Sequence, residues 1–178
     1  MFHSNTELLI DYWRGLAGPG GLPARAAVDP SDFAPLAPKC FVVARETFGE
    51  FRFRLAGEAV IDLHGRQLRG DAFGSIWRQV HRRRTAGLLG AALAAVEPVV
   101  IGAEGWTDGG ARLRLEMLLA PLANADGAVD RLLGLYQPLS GELSGLVEEL
   151  AIVGAYGVAG EPPGSHLRLA AVDGRLIA

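Results

Sequence analysis

Phe41-Val42-Val43-Ala44 and Val129-Asp130-Arg131-Leu132-Leu133-Gly134-Leu135-Tyr136-Gln137-Pro138-Leu139 decide the fold of this 178-residue chain. Side chains alternate between the two faces of a strand, so a strand apolar at successive positions is covered on both faces. Both stretches have that character and belong in the middle of a sheet. Phe51, Phe53 and Leu55 alternate with Arg52 and Arg54, the pattern of a half-buried strand, and Phe48-Gly49-Glu50 is a link short enough for a hairpin. Val99 to Thr107 runs into the turn Asp108-Gly109-Gly110. Leu113, Leu115, Met117 and Leu119 then alternate with Arg112, Arg114 and Glu116, and Asn124-Ala125-Asp126-Gly127 turns the chain into the last apolar strand. Between the second and third strands the sequence reads as helical, with segments at Glu58 to His64, Asp71 to Trp77 and 82 to 96. The last carries Leu88, Leu89, Ala92, Leu93 and Val96 along one side and stops at Pro98. Hairpins join the first two strands and the last three. Setting the two central strands side by side gives the order 2-1-5-4-3, an α+β antiparallel sheet of five strands with helices on one face.

The flanks divide the chain into residues 1–38, an N-terminal helical flank, 39–139, the core, and 140–178, a C-terminal helix and tail. Ser4 and Glu7 have capping-box spacing. Leu8, Leu9, Tyr12, Trp13 and Leu16 follow on one face of a helix that Gly18 and Pro19 end. The glycines of 18–21 read as a connector, because a phosphate cradle needs a strand before and a helix after it. Asp29-Pro30 opens a short helix with Asp29 as N-cap. Leu143, Leu146, Val147, Leu150 and Val153 have helical spacing in the tail. Glu161-Pro162-Pro163-Gly164 then breaks the chain, and His166 to Ile177 fits no single element.

Composition excludes several classes. With 17 basic and 20 acidic residues the formal charge is −3, without the basic excess that displaces counterions from nucleic acid. A single cysteine, Cys40, cannot form an internal disulfide, and no Cys/His cluster has zinc spacing. No run of 18 apolar residues suggests a membrane span. Glu7, Asp11 and Arg14 interrupt the N-terminus as no secretory signal would, so the expected compartment is the reducing cytoplasm.

Several short motifs follow one another along the chain: Asp11-Tyr12-Trp13-Arg14, Leu22-Pro23-Ala24-Arg25, Asp29-Pro30, Phe51-Arg52-Phe53-Arg54-Leu55-Ala56-Gly57, His64-Gly65-Arg66, Leu68-Arg69-Gly70, Trp77, Glu97-Pro98-Val99 and Leu113-Arg114-Leu115-Glu116-Met117. In these motifs the chain resembles a bacterial family of stand-alone PAS-like domains, and the sheet order deduced above is that of the PAS fold. The resemblance implies regulation: sensing a small molecule or docking onto signalling proteins such as two-component kinases, with no cofactor carried over. The light-sensing flavin type needs a cysteine within an Asn-Cys-Arg-Phe-Leu-Gln motif, which is absent around Cys40. The haem type needs a histidine facing the pocket from the long helix. His81 precedes that helix among arginines, and His64 sits at a helix end where its charge would complement the dipole.

The expected ligand pocket lies between the sheet and the helices of 58–97, walled by Phe53, Leu63, Trp77, Leu89, Leu115 and Met117, with Trp106 near the rim. The helix residues Leu9, Tyr12, Trp13 and Leu16 suit either a homodimer seam or packing on the chain's own sheet. Arg78, Arg82, Arg83 and Arg84 oppose the dipole at a helix start; solvation satisfies them, or an acidic protein or nucleotide phosphate does. Catalytic patterns are sparse: Asp62 and His64 do not face each other on a helix, and Ser75 lacks a nucleophile elbow. A small acid–base enzyme would need a buried polar pair opening into a cleft. The preferred reading is a non-enzymatic sensor, and the alternative is a ligand-free interaction module.

Overall fold

The computed structural model describes residues 1–17, 21–141, 144–158 and 168–169. Its sheet contains β1 (Cys40–Arg45), β2 (Phe51–Ala56), β3 (Val99–Trp106), β4 (Arg112–Ala123), β5 (Val129–Pro138), β6 (Ala151–Gly157) and the two-residue β7 (Arg168–Leu169). The order is β2-β1-β5-β4-β3-β6-β7, every pair antiparallel. The expected 2-1-5-4-3 core is therefore present, and β6 extends it beyond β3. In the register of β1 and β5, Phe41 lies opposite Gly134 and Val43 opposite Leu132. Gly134 is required there. A Cβ at that position would lie 2.0 Å from Phe41 Cζ, so the missing side chain is the space the ring occupies.

Both faces of the sheet are covered. On the inner face lie α2 (Glu58–His64), a short 3₁₀ turn at Phe73–Ile76 and α3 (Gln79–Ala95). They bury Phe41, Phe53, Phe73, Trp77, Leu89, Leu115, Met117 and Tyr136 in one cluster. The segment expected to be helical from Asp71 to Trp77 thus shrinks to one 3₁₀ turn. Phe53 N–H donates to Asp71 O and Gly70 N–H to Phe53 O, so this stretch spends its backbone groups on the edge of β2. The longest helix begins at Gln79, three residues before its expected start.

On the outer face sits α1 (Ser4–Ala17), packing Leu9, Ile10 and Trp13 onto Val42, Val100, Leu118, Leu133 and Leu135. Leu8, expected on its apolar side, points half out to solvent. Different contacts take the place of the expected Ser4–Glu7 capping box. His3, not Ser4, is the cap: Asn5 N–H donates to His3 Nδ1 (3.1 Å) and Phe2 N–H to Glu7 Oε1 (3.2 Å). Asp29 caps the Pro30–Phe33 turn as expected, accepting from Ser31 N–H.

Among the described residues the expected C-terminal helix is absent. Residues 146–150 are an extended strap leading into β6. Its amides pair far away in the sequence: Val147 N–H with Leu63 O (2.7 Å), Leu150 N–H with Ile76 O (2.8 Å), and Arg78 N–H with Leu150 O (2.9 Å). Val147 and Leu150 are buried in the inner cluster, seated over Gly105, where a Cβ would come within 2.8 Å of Val147. The connector at 18–20, Leu143, the Pro-Pro break and most of 166–177 lie outside the described residues.

Candidate functional site

Three places on this scaffold hold chemistry or exposure that packing alone does not use. The first is the expected pocket. Phe53, Leu63, Trp77, Leu89, Leu115 and Met117 are all buried in the inner cluster and pack against one another there. Aromatic rings continue through this core: Phe41 meets Phe53, Phe73 and Tyr136 at centroid distances of 5.6, 5.9 and 5.4 Å, within the range of favourable ring pairs. The indole N–H of Trp77 is buried with no partner among the described residues. An opening of about 310 Å³ lies beside this cluster, between Glu50 and Phe51 at the start of β2, Ala72 to Ser75, and Arg82, Thr85 and Ala86 of α3.

Sequence reasoning missed the polar pair in the interior. His64 is half-buried at the end of α2. Its Nδ1 lies 3.1 Å from Val147 O, and its Nε2 lies 3.1 Å from the Tyr136 hydroxyl. A carbonyl only accepts, so Nδ1 carries the proton and Nε2 accepts from Tyr136 O–H. Burial drives the His64 pKa down to about 4, with the Arg66 charge adding to the effect. Burial also raises the Tyr136 hydroxyl well above its usual value. Both groups therefore stay neutral at physiological pH, and the dipole role expected for His64 is replaced by a latch between α2, β5 and the strap. Neither side chain lines the opening beside α3, and Asp62 is exposed.

The second place is the start of α3. Arg78, Arg82 and Arg83 are exposed, and Arg84 is half-buried, its Nε without a partner among the described residues. Among the described residues Arg82 alone of the four finds anchors: Nε–H donates to Trp77 O (3.0 Å) and Nη2–H to Glu149 Oε1 (3.3 Å). His81, on the same turn, makes no side-chain hydrogen bond among the described residues.

The third is the outer face of the sheet beyond α1. The alternation that sends Val99, Ile101 and Ala103 inward sends Trp106 outward, away from the pocket rim where it was expected. Trp106 is 56% exposed, Val153 56% and Leu139 43%. Glu104 and Arg112 pair among them, and Arg114 lies opposite Glu104. Of the helix residues considered for a dimer seam, Leu9 and Trp13 are taken up by the chain's own outer layer. The Trp13 indole N–H donates to Pro121 O at 2.6 Å. Tyr12 lies at the margin, its hydroxyl donating to Asp32 and accepting from Asp29 N–H, and Leu16 is half-buried beside it. Burial holds the Cys40 thiol up at about 12, leaving it without nucleophilic character.

Among the described residues no group of three His, Cys, Asp or Glu side chains is placed to hold a metal, and no helix is long and apolar enough to cross a membrane. No curated protein matches the chain. Among solved structures it is similar to a chain described as an RNA-binding light-oxygen-voltage receptor, at 17% identity and a TM-score of 0.48, covering 70% of this chain. The chain spans 37% of that receptor's length. The family model described as the PAS domain matches residues 1–137. With the sheet order and helical layer above, that match places the chain in the PAS domain family.

Proposed function

We propose that the chain is a non-enzymatic regulatory module of bacterial signal transduction that works by docking a signalling protein, such as a two-component kinase, on its outer sheet face. PAS-family membership supports a sensory or regulatory role. The observation that carries the docking reading is Trp106, an aromatic side chain left 56% exposed on a strand whose inner neighbours are buried. Large aromatics in that setting are the residues that anchor protein interfaces. Val153 and Leu139 are further exposed apolar side chains, while Glu104, Arg112 and Arg114 supply charges for orientation. The inner cluster, filled by the residues expected to wall a ligand pocket, favours contact-based action over a deep internal ligand.

The test uses cells carrying chromosomal substitutions. Trp106→Glu reproduces the phenotype of deleting the gene while the purified variant melts like the parent. Phe48→Glu, at a hairpin tip that is 99% exposed, leaves the phenotype unchanged. Parental behaviour of Trp106→Glu, or equal loss with both variants, refutes the proposal.

A further inference from the structure

The geometry points to a second site, distinct from the outer face and beyond the docking reading: the opening between β2, the Phe73–Ile76 turn and α3 binds a small carboxylate with an apolar body, which takes Arg82 away from Glu149 and so loosens the strap. The shape comes first. About 310 Å³ lies between Phe51, Ala72, Phe73 and Ala86, the lower end of the range for small-molecule sites. That volume suits a ring or short chain rather than a nucleotide.

The polar groups define the other end of the ligand. Arg82 is held from two sides. Thr85, buried, donates its hydroxyl to Arg82 O (2.8 Å), and Arg82 Nε–H donates to Trp77 O (3.0 Å). A guanidinium has five N–H groups. The Arg82 Nε–H is used on Trp77, so a carboxylate bound in the fork geometry takes Nη1 and Nη2 and contends with Glu149 for Nη2. Ser75 accepts from Arg66 Nη2–H (3.0 Å), so its own O–H remains free to donate into the same opening. Glu50, the acidic lining residue, is already paired with Arg52 at 2.6 Å. Arg78 and Arg83 stand nearby without acidic partners among the described residues, so the local field favours an anion.

The consequence follows from what Arg82 leaves behind. Its contact with Glu149 is exposed and 3.3 Å long, the kind of surface pair that contributes little and exchanges readily. Glu149 sits in the strap between Val147 and Leu150, whose amides join it to α2 and to the Phe73–Ile76 turn. A carboxylate in the opening competes with Glu149 for the same guanidinium, and by linkage the strap's attachment and ligand affinity oppose each other.

The experiment titrates the full-length protein with phenylacetate and follows backbone amides by NMR. A ligand of this size is expected to bind with a Kd on the order of 1 mM. Saturable shifts appear at Gly74, Ser75 and Ala86, and exchange of the Val147 and Leu150 amides quickens several-fold at saturation. Glu149→Gln, which removes the competitor, tightens binding several-fold; Arg82→Gln abolishes it, and Arg82→Lys, which keeps charge without the fork, weakens it. The proposal is overturned if phenylacetamide or inorganic phosphate gives the same shifts, if Glu149→Gln leaves the affinity unchanged, or if no saturable shift occurs.

Discussion

Replacing Gly134 by alanine probes the packing of the two central strands at one atom. The new Cβ would stand 2.0 Å from Phe41 Cζ and 2.3 and 2.4 Å from its Cε atoms, whereas carbon atoms rest at about 3.5–4.0 Å. The ring must move by roughly 1.5 Å to reach even the near edge of that range. It has no free direction, being fully buried against Phe53, Phe73 and Tyr136. Overpacking of this severity costs about 3 kcal/mol. Losing a strand glycine returns about 0.5–1 kcal/mol of backbone entropy. The net destabilisation is therefore about 2 kcal/mol, a fall in Tm of roughly 4–8 °C for a chain of this length. Calorimetry of Gly134→Ala, Phe41→Leu and the double variant measures it, and the double-mutant cycle should return a coupling of about 0.5–3 kcal/mol because trimming the ring relieves the clash. A Gly134→Ala protein as stable as the parent, or an additive cycle, refutes the reasoning.

Further outcomes follow from the interior groups. His64 has a folded pKa of about 4 against an ordinary 6.5, so between those values the unfolded chain binds the extra proton and stability falls as pH drops; at about 1.4 kcal/mol per unit the loss reaches roughly 3 kcal/mol. Between pH 7 and about 4 the parent should lose roughly that much more stability than His64→Gln in denaturant titrations, and parallel stability–pH curves would remove the neutral latch. Gly105→Ala brings a Cβ to 2.8 Å from Val147 and 3.1 Å from Leu150. It should speed amide exchange at both strap residues while leaving β1 and β5 protected; uniform exchange would deny the strap its separate socket. Cys40, raised to about 12, should resist a thiol reagent at pH 8 in the native protein and react fully in denaturant, and rapid native labelling would contradict its burial.

The sheet was legible because its signals are local. Phe41–Ala44 is apolar on both faces and is buried throughout. The alternation at Leu113, Leu115, Met117 and Leu119 gave the inward face of β4 directly. What escaped depends on distant partners. The strap residues 146, 147, 150 and 153 repeat at helical intervals. The acceptors that hold Val147 and Leu150 extended are Leu63 O and Ile76 O, more than seventy residues earlier in the chain. His64 next to Gly65 reads as a charge complementing a helix end until Tyr136 is placed against it. The capping shift has another cause, since a histidine ring nitrogen stands in for the hydroxyl that cap statistics favour. The outward direction of Trp106 was available from the period-two phase of Val99, Ile101 and Ala103, had that phase been carried to the strand's end.

Photo-crosslinking in living cells tests most directly whether the outer sheet face is where this protein acts. A benzophenone side chain replaces Trp106, Leu139 or Val153 in turn, with Phe48 and Val80, exposed elsewhere, as reference positions. The account predicts one discrete adduct at the three sheet positions, identified by mass spectrometry as a signalling protein, and none at the references. Adducts confined to positions 48 or 80, or only the doubled mass of the chain itself at all three sheet positions, would contradict it.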